Sequence, residues 1–413
     1  MCSRIDFSNP RTRELEALYH ACKPAEFGRD GESVLDESYR KAGKMDLTSF
    51  STLFDPRSLG IHEQISKALL TQSLVTMDME LYKLNVYGEY SGCSDVPTQS
   101  NSSSAAEGDF FKPHKDTPRG QDMFGSLVVV LPTAYGGGQF VLRHGEKEWT
   151  IDFAKFAATK EPSVCFLAFY SDVEHEVLPV TSGHRVSLTY NLYHKPIHAT
   201  APIQNHTPFH LQLKQALINL LNDKSKLPNG GYLGFGLAHE YVHTGRNLLE
   251  LLPAQLKGSD RALADVCDEL GLRYSLRLLY RGIADETISL LTTKELDVDE
   301  DLIEDDFGMS GSEAQLRCAL EVIDAEQVER INFVGWPYKP SMSVDEKQEL
   351  LGPIGGIPAT EVLDIMPMKS TVGVKSTFVV PYYGNAPGVD HFYGTACMLV
   401  AVEPAASRNL IGL

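Results

Sequence analysis

The strongest constraint on the fold is the texture of residues 80–193. Short apolar or alternating runs recur there: Leu81 to Val86, Ser126 to Leu131, Gln139 to Leu142, Val164 to Tyr170, and Val186 to Leu192. Pro132, Gly136-Gly137-Gly138 and Gly145 lie between them as turn residues. Many short strands separated by turn signals predict an all-β sandwich or barrel for this segment. Helical spacing of apolar positions predicts helices over 11–22 and 61–74, with Asp55-Pro56 and Gly60 as punctuation between them. Residues 196–413 read as mixed α/β. Leu211 to Leu221 and Arg261 to Leu270 look helical, while Tyr232 to Leu237, Ser376 to Val380 and Ala396 to Val402 look like strands. A chain of 413 residues exceeds one typical core, so two domains are expected, 1–195 and 196–413.

Two interruptions stand apart. Residues 91–108 are polar and Ser-rich, with almost no large apolar side chain, so they read as a surface insertion. A sharper reading is a lid, because the segment ends six positions before His114 (114 − 108). The acidic stretch from Glu295 to Asp306 reads as a solvated loop.

The formal net charge of −18 disfavours a nucleic-acid backbone or an anionic membrane surface as partner. No apolar run approaches the roughly 20 residues of a spanning helix. The seven cysteines are scattered without short regular spacing, which predicts reduced thiols and a cytoplasmic or nuclear location. Cys165, Cys397, Trp149, Phe166 and Phe169 are expected in cores.

The chemistry is concentrated in three segments: His114-Lys115-Asp116, His175, and Arg185-Val186-Ser187. On a strand, residues i and i+2 face the same side, so His114 and Asp116 can reach one metal. His175 lies 59 positions after Asp116 (175 − 116), and Arg185 follows ten positions later (185 − 175). Two imidazoles and one carboxylate form the facial triad that holds Fe(II) and leaves coordination positions open for oxygen chemistry. A guanidinium forks onto a dicarboxylate. Ser187 or Thr189 can add a hydroxyl donor, and Tyr87 is a further candidate.

The elements Tyr87-Gly88, Phe111-Lys112-Pro113-His114-Lys115-Asp116, Gly137-Gly138-Gln139-Phe140, His175-Glu176-Val177 and Gly183-His184-Arg185-Val186-Ser187 resemble the Fe(II)/2-oxoglutarate-dependent dioxygenases, in their prolyl 4-hydroxylase-like branch. Two longer phrases, Leu81 to Tyr87 and Ala168 to Tyr193, are similar to a fungal subgroup. The resemblance implies an α+β fold: a double-stranded β-helix, or jelly roll, with supporting helices, followed by the C-terminal α/β domain. It implies His114, Asp116 and His175 as iron ligands and catalytic centre. Arg185 would anchor 2-oxoglutarate, with Tyr87, Ser187 and Thr189 facing it. O₂ and a peptide or small-molecule substrate would be the partners, and ascorbate is admitted as an accessory. The implied reaction hydroxylates a prolyl residue, an amino acid or a small metabolite, with release of succinate and CO₂. Val130 stands where animal oxygen-sensing members carry a Tyr that helps hold 2-oxoglutarate, so Ser187 or Thr189 would supply that bond.

Two rival readings remain at this point. One is a non-catalytic 2-oxoglutarate-binding sensor whose C-terminal half binds a partner. The other is a zinc peptidase built on His239-Glu240-Tyr241-Val242-His243, which needs that stretch to be helical. Its glycine-rich lead-in, Gly230 to Gly236, favours a strand running into a loop instead.

Overall fold

The computed structural model describes residues 3–29, 32–70, 75–88, 108–120, 122–157, 163–196, 207–241, 248–283, 288–293, 328–333, 359–368, 373–380 and 388–408. Residues 91–107 of the insertion 91–108, the acidic stretch 295–306 and His243 lie outside these residues. The chain forms two compact units, residues 1–203 and 204–413.

The first unit is built on two antiparallel sheets. The larger runs in the order β1 (Lys23–Pro24), β5 (Gly43–Asp46), β6 (Val75–Gly88), β14 (Val180–Pro196), β8 (Met123–Val130) and β12 (Cys165–Tyr170). A short strand, β9 (Tyr135–Gly137), pairs with the start of β14. The smaller runs β11 (Lys147–Ile151), β10 (Phe140–His144), β13 (Glu174–Val177), β7 (Phe110–His114) and β4 (Arg40–Lys41). A separate hairpin joins β2 (Phe27–Arg29) to β3 (Glu32–Val34).

Strand side chains alternate between faces, and β14 uses this to serve two environments at once. Val186, Leu188, Tyr190 and Leu192 join one core with Leu84, Val86, Leu127 and Val129. Helices α1 (Thr12–Ala21) and α2 (Ile61–Leu69) close that core through Leu15, Ile61 and Ile65. A second core lies between the two sheets and contains Val128, Val130 and Phe169 from the larger sheet with Phe111, Phe140, Leu142 and Val177 from the smaller. A four-residue helix, α3 (Ala154–Ala157), follows β11. The larger sheet is therefore covered on both faces, which is why β8 is buried along its whole length.

Two side chains depart from expectation. Trp149 is 46 % exposed, because β11 is an edge strand with solvent along most of its length. Cys165 is only half-buried at the start of β12, whereas Cys397 is fully buried.

The second unit carries one mixed sheet in the order β15 (Gly231–Gly236), β19 (Thr360–Met366), β18 (Val328–Phe333), β17 (Ile288–Thr292), β16 (Tyr274–Ile283), β21 (Gly388–Val402) and β20 (Gly373–Val380). Strand β19 pairs in parallel with both β15 and β18. Helices α4 (Pro208–Asn222), α5 (Leu248–Gln255) and α6 (Gly258–Glu269) pack on its apolar face through Leu217, Leu252 and Leu263. Thr207 caps α4 by accepting from the His210 amide at 3.2 Å. His239 lies in the loop after β15, not on a helix, so the geometry that a His-Glu-x-x-His zinc site needs is not present there. No described helix is long and apolar enough to cross a membrane.

Candidate active site

Strands β7 and β13 pair so that His114 and His175 stand directly opposite one another, their rings 4.2 Å apart between centroids. Asp116 comes from just beyond the end of β7, which stops at His114. Strand alternation therefore does not place Asp116. A hydrogen bond does: Ser126 Oγ on β8 donates to Asp116 Oδ2 at 2.6 Å. The three residues offer ligand atoms that all lie within 4.8 Å of one another, with His175 Nε2 3.9 Å from Asp116 Oδ1.

Each of the three has its other polar atom already engaged. His114 Nδ1 lies 2.8 Å from the Lys112 carbonyl, and His175 Nδ1 lies 3.1 Å from the Val173 carbonyl. A ring nitrogen facing a carbonyl donates to it, so the neutral tautomer this selects leaves Nε2 of each ring available as a ligand atom. Burial, then the neighbouring His175, holds the His114 imidazolium well below the usual histidine range, which keeps the ring neutral and ready to bind metal. Phe111 stacks on His114 at 3.4 Å, and Phe169 packs against His175 at 4.6 Å, fixing the ring planes. The donor set is the two-imidazole, one-carboxylate set that suits Fe(II).

The group opens onto a cavity of about 140 Å³ between the two sheets. Its wall repeats the alternation of β6 and β14. Tyr87 pairs with Arg185, Asn85 with Ser187 and Lys83 with Thr189, and all six line the cavity. Thr189 Oγ1 is already engaged, accepting from Asn85 Nδ2 at 3.0 Å. Arg185 is 1 % exposed, with its guanidinium 5.4 Å from the Tyr87 ring and 5.9 Å from the Phe140 ring. Its Nε and Nη2 are buried without a hydrogen-bond partner among the described residues. A buried guanidinium left in that state is costly, and an anion on the cavity side relieves the cost.

Sequence reasoning missed two contributors. Tyr135 on β9 stands opposite Gly183, and its buried hydroxyl lacks a hydrogen-bond partner among the described residues. Burial pushes its phenol up, while the nearby Arg185 charge pulls it down. Gly138 makes room for this pair. Its φ is +60°, and a Cβ there would come within 2.9 Å of Val180 Cγ2, 3.2 Å of Arg185 Cδ and 3.4 Å of Tyr135 Cε2. The only signal for Ser126 was a lone hydroxyl in the buried run Met123–Val130. Lys83 is the other perturbed group: burial and the charges of Arg40 and Arg119 bring its ammonium down to about 7, against the pull of Asp116.

Residues 99–193 match the model of the 2OG-Fe(II) oxygenase superfamily. No curated protein matches the chain. Among solved structures it is similar to a prolyl-4-hydroxylase from Pseudomonas putida, at 20 % identity and TM-score 0.26, over 44 % of this chain and 81 % of that one. It is also similar to a prolyl hydroxylase from Trichoplax adhaerens solved with a hypoxia inducible factor peptide fragment, at 16 % identity and TM-score 0.27, over 44 % and 75 %. A third is the viral collagen prolyl hydroxylase of Paramecium Bursaria Chlorella virus-1, at 12 % identity and TM-score 0.22, over 44 % and 90 %. The segment that matches this superfamily contains all three residues of the His-Asp-His group.

Proposed function

We propose that His114, Asp116 and His175 hold Fe(II) and that Arg185 anchors 2-oxoglutarate. The enzyme then hydroxylates a prolyl residue of a peptide, an amino acid or a small metabolite. The observation that carries this reading is the paired state of the cavity: three metal-competent residues, each with one polar atom engaged and one free, beside a buried guanidinium with unpaired nitrogens. When bound, iron and 2-oxoglutarate let one O₂ oxidise both partners, giving hydroxylated substrate, succinate and CO₂.

The chain's own residues do the rest. Lys112 and Val173 carbonyls fix the tautomers of the two histidines, and Ser126 aims Asp116. Arg185 receives the distal carboxylate of the co-substrate in a site where little water competes, and Tyr135 is placed to donate to the same carboxylate. Ser187 and Tyr87 line the route between them. The two facing sheets serve as the jelly-roll scaffold, and residues 196–413 form a separate α/β domain. The fungal-type subgroup remains the branch that the motif phrases favour. Free Cys22, Cys165, Cys267 and Cys397 suit a cytoplasmic or nuclear setting. Ascorbate would serve as an accessory reductant.

The test is an anaerobic titration of the purified chain with Fe(II) and then 2-oxoglutarate, following the visible metal-to-ligand charge-transfer band. The band should form in the wild type and vanish in His175→Ala. Its absence in the wild type refutes the reading. Succinate release under O₂ separates the enzyme from a sensor that binds 2-oxoglutarate without turnover.

A further inference from the structure

In a chain of formal net charge −18, the cavity is lined by positive charge. Arg40, Lys44, Lys83, Lys115, Arg119 and Arg185 line it, against the carboxylates of Glu26 and Asp116. Several of these charges are already used. Arg185 and Asp116 belong to the co-substrate and the metal in the reading above. Arg40 is committed within the fold, donating to the Glu26 carbonyl at 2.7 Å and to Asn85 Oδ1 at 2.9 Å. Lys44 pairs with Glu26 at 3.2 Å.

Lys83 and Arg119 are placed differently. Both gather on one aromatic ring: Lys83 Nζ is 4.2 Å and Arg119 Cζ 4.8 Å from the Tyr82 centroid. Arg119 Nη2 also donates to the Tyr82 hydroxyl. Neither cation has a carboxylate in ion-pair contact among the described residues. Two basic side chains held on one ring at the cavity wall, without a carboxylate partner among the described residues, leave a site suited to an anion.

Along the strand this pair stands apart from the co-substrate anchor. Tyr87 marks the level of Arg185, and Lys83 lies four residues away on the same face of β6 (87 − 83). At roughly 3.3 Å per residue the separation along the strand is about 13 Å. An extended five-carbon diacid spans only about 5 Å between its terminal carbons, from four bonds of roughly 1.5 Å at tetrahedral angles. The backbone levels of Arg185 and Lys83 are thus further apart than the diacid is long, and the pair on Tyr82 is read as a site apart from the Arg185 anchor.

We propose that Lys83 and Arg119, gathered on Tyr82, form a substrate subsite for an anionic group, so that the substrate bears a carboxylate or a phosphate. The inference rests on the oxygenase reading and deepens it.

The test uses the full chain, loaded under argon with Fe(II) and saturating 2-oxoglutarate, in calorimetric titrations at low salt. Three probes are compared: methyl phosphate, acetyl-Pro-Glu-Glu-amide and acetyl-Pro-Gln-Gln-amide. At least one acidic probe should bind about tenfold or more tighter than the Gln peptide, a difference typical of one good charge-assisted contact. Preference for methyl phosphate alone assigns a small phosphorylated substrate, and preference for the Glu peptide alone a peptidyl carboxylate. The Lys83→Met, Arg119→Gln double variant should lose the preference while the charge-transfer band remains. Arg119→Gln alone, at an exposed position, should lose part of it and guards against misfolding of the double variant. Equal binding of all three probes, binding of none, or a preference that survives the double variant overturns the subsite. Absence of the band refutes the oxygenase reading, and the calorimetric comparison is still read on the unloaded chain.

Discussion

Ser126→Ala isolates the contact that aims the metal carboxylate. Ser126 is 2 % exposed on a strand that is otherwise apolar, and its hydroxyl donates to Asp116 Oδ2 at 2.6 Å. That is a charge-assisted O–H···O⁻ distance. Asp116 sits beyond the end of β7 and its side chain is 27 % exposed, so the strand does not hold it and water can take the place of the lost donor. Removal of such an outer partner typically costs 10- to 100-fold in metal affinity. With water competing, the lower end applies: about tenfold, or roughly 1.4 kcal/mol. The expected result is a tenfold weaker Fe(II) constant in anaerobic titration. Iron-saturated Ser126→Ala should keep its 2-oxoglutarate affinity, because the contact is on the metal side. The unloaded variant should melt within a few degrees of the wild type, since only a partly exposed carboxylate loses a partner. Unchanged iron affinity would show that Asp116 is placed by its loop alone. Equal losses of iron and 2-oxoglutarate binding would show that the substitution disturbs the whole cavity, and the reasoning would fail.

Arg185→Met should raise the 2-oxoglutarate requirement about 100-fold with iron still bound, yet stabilise the unloaded chain by about 1 kcal/mol or more, because a buried, unpaired charge is replaced by an apolar chain of similar length. A lower melting temperature than wild type in the unloaded state would contradict this. Tyr135→Phe should weaken 2-oxoglutarate binding severalfold without touching iron, read by equilibrium titration; identical affinities would remove Tyr135 from the co-substrate site. Gly138→Ala meets Val180 and Arg185 and forces a left-handed backbone on a residue with a Cβ, so thermal unfolding should show a loss of about 1–2 kcal/mol, and no loss would mean the turn yields. Burial pushes the Cys267 thiol up to about 12 and the Cys22 thiol up to about 11, so at pH 8 both are protonated, and mass spectrometry after iodoacetamide should find Cys267 unlabelled until the chain unfolds. Labelling of native Cys267 at the rate of a free thiol would count against the second unit's core.

The parts legible in the sequence are those set by period-2 alternation. Arg185, Ser187 and Thr189 share the cavity face of β14 as their spacing predicts, and Tyr87 meets Arg185 across the pair with β6. The parts that were not legible depend on contacts between strands far apart in the chain. Tyr135 lies 50 positions before Arg185 (185 − 135), and only the pairing of β9 with β14 brings it near. Ser126 is a single hydroxyl in a buried apolar strand, where sequence cannot say which distant carboxylate it serves. Asp116 was assigned to a strand face that ends two residues earlier. Trp149 was assigned to a core by residue type, but an edge strand leaves it in solvent.

The arrangement also explains why the chain tolerates so many polar groups between its sheets. The core on the helix side of the larger sheet, from Leu84 and Val86 through Leu188 and Leu192, is built of apolar side chains apart from the Tyr190 hydroxyl. The same strands that fill it carry Lys83, Asn85, Arg185, Ser187 and Asn191 on the opposite face. One face supplies the burial that holds the register, because a one-residue slip would exchange the two faces. The other face shares its space between the second core and the cavity. It can carry unpaired donors such as Arg185 Nε and Nη2 and the Tyr135 hydroxyl, which weaken the empty fold and strengthen the hold on an anion.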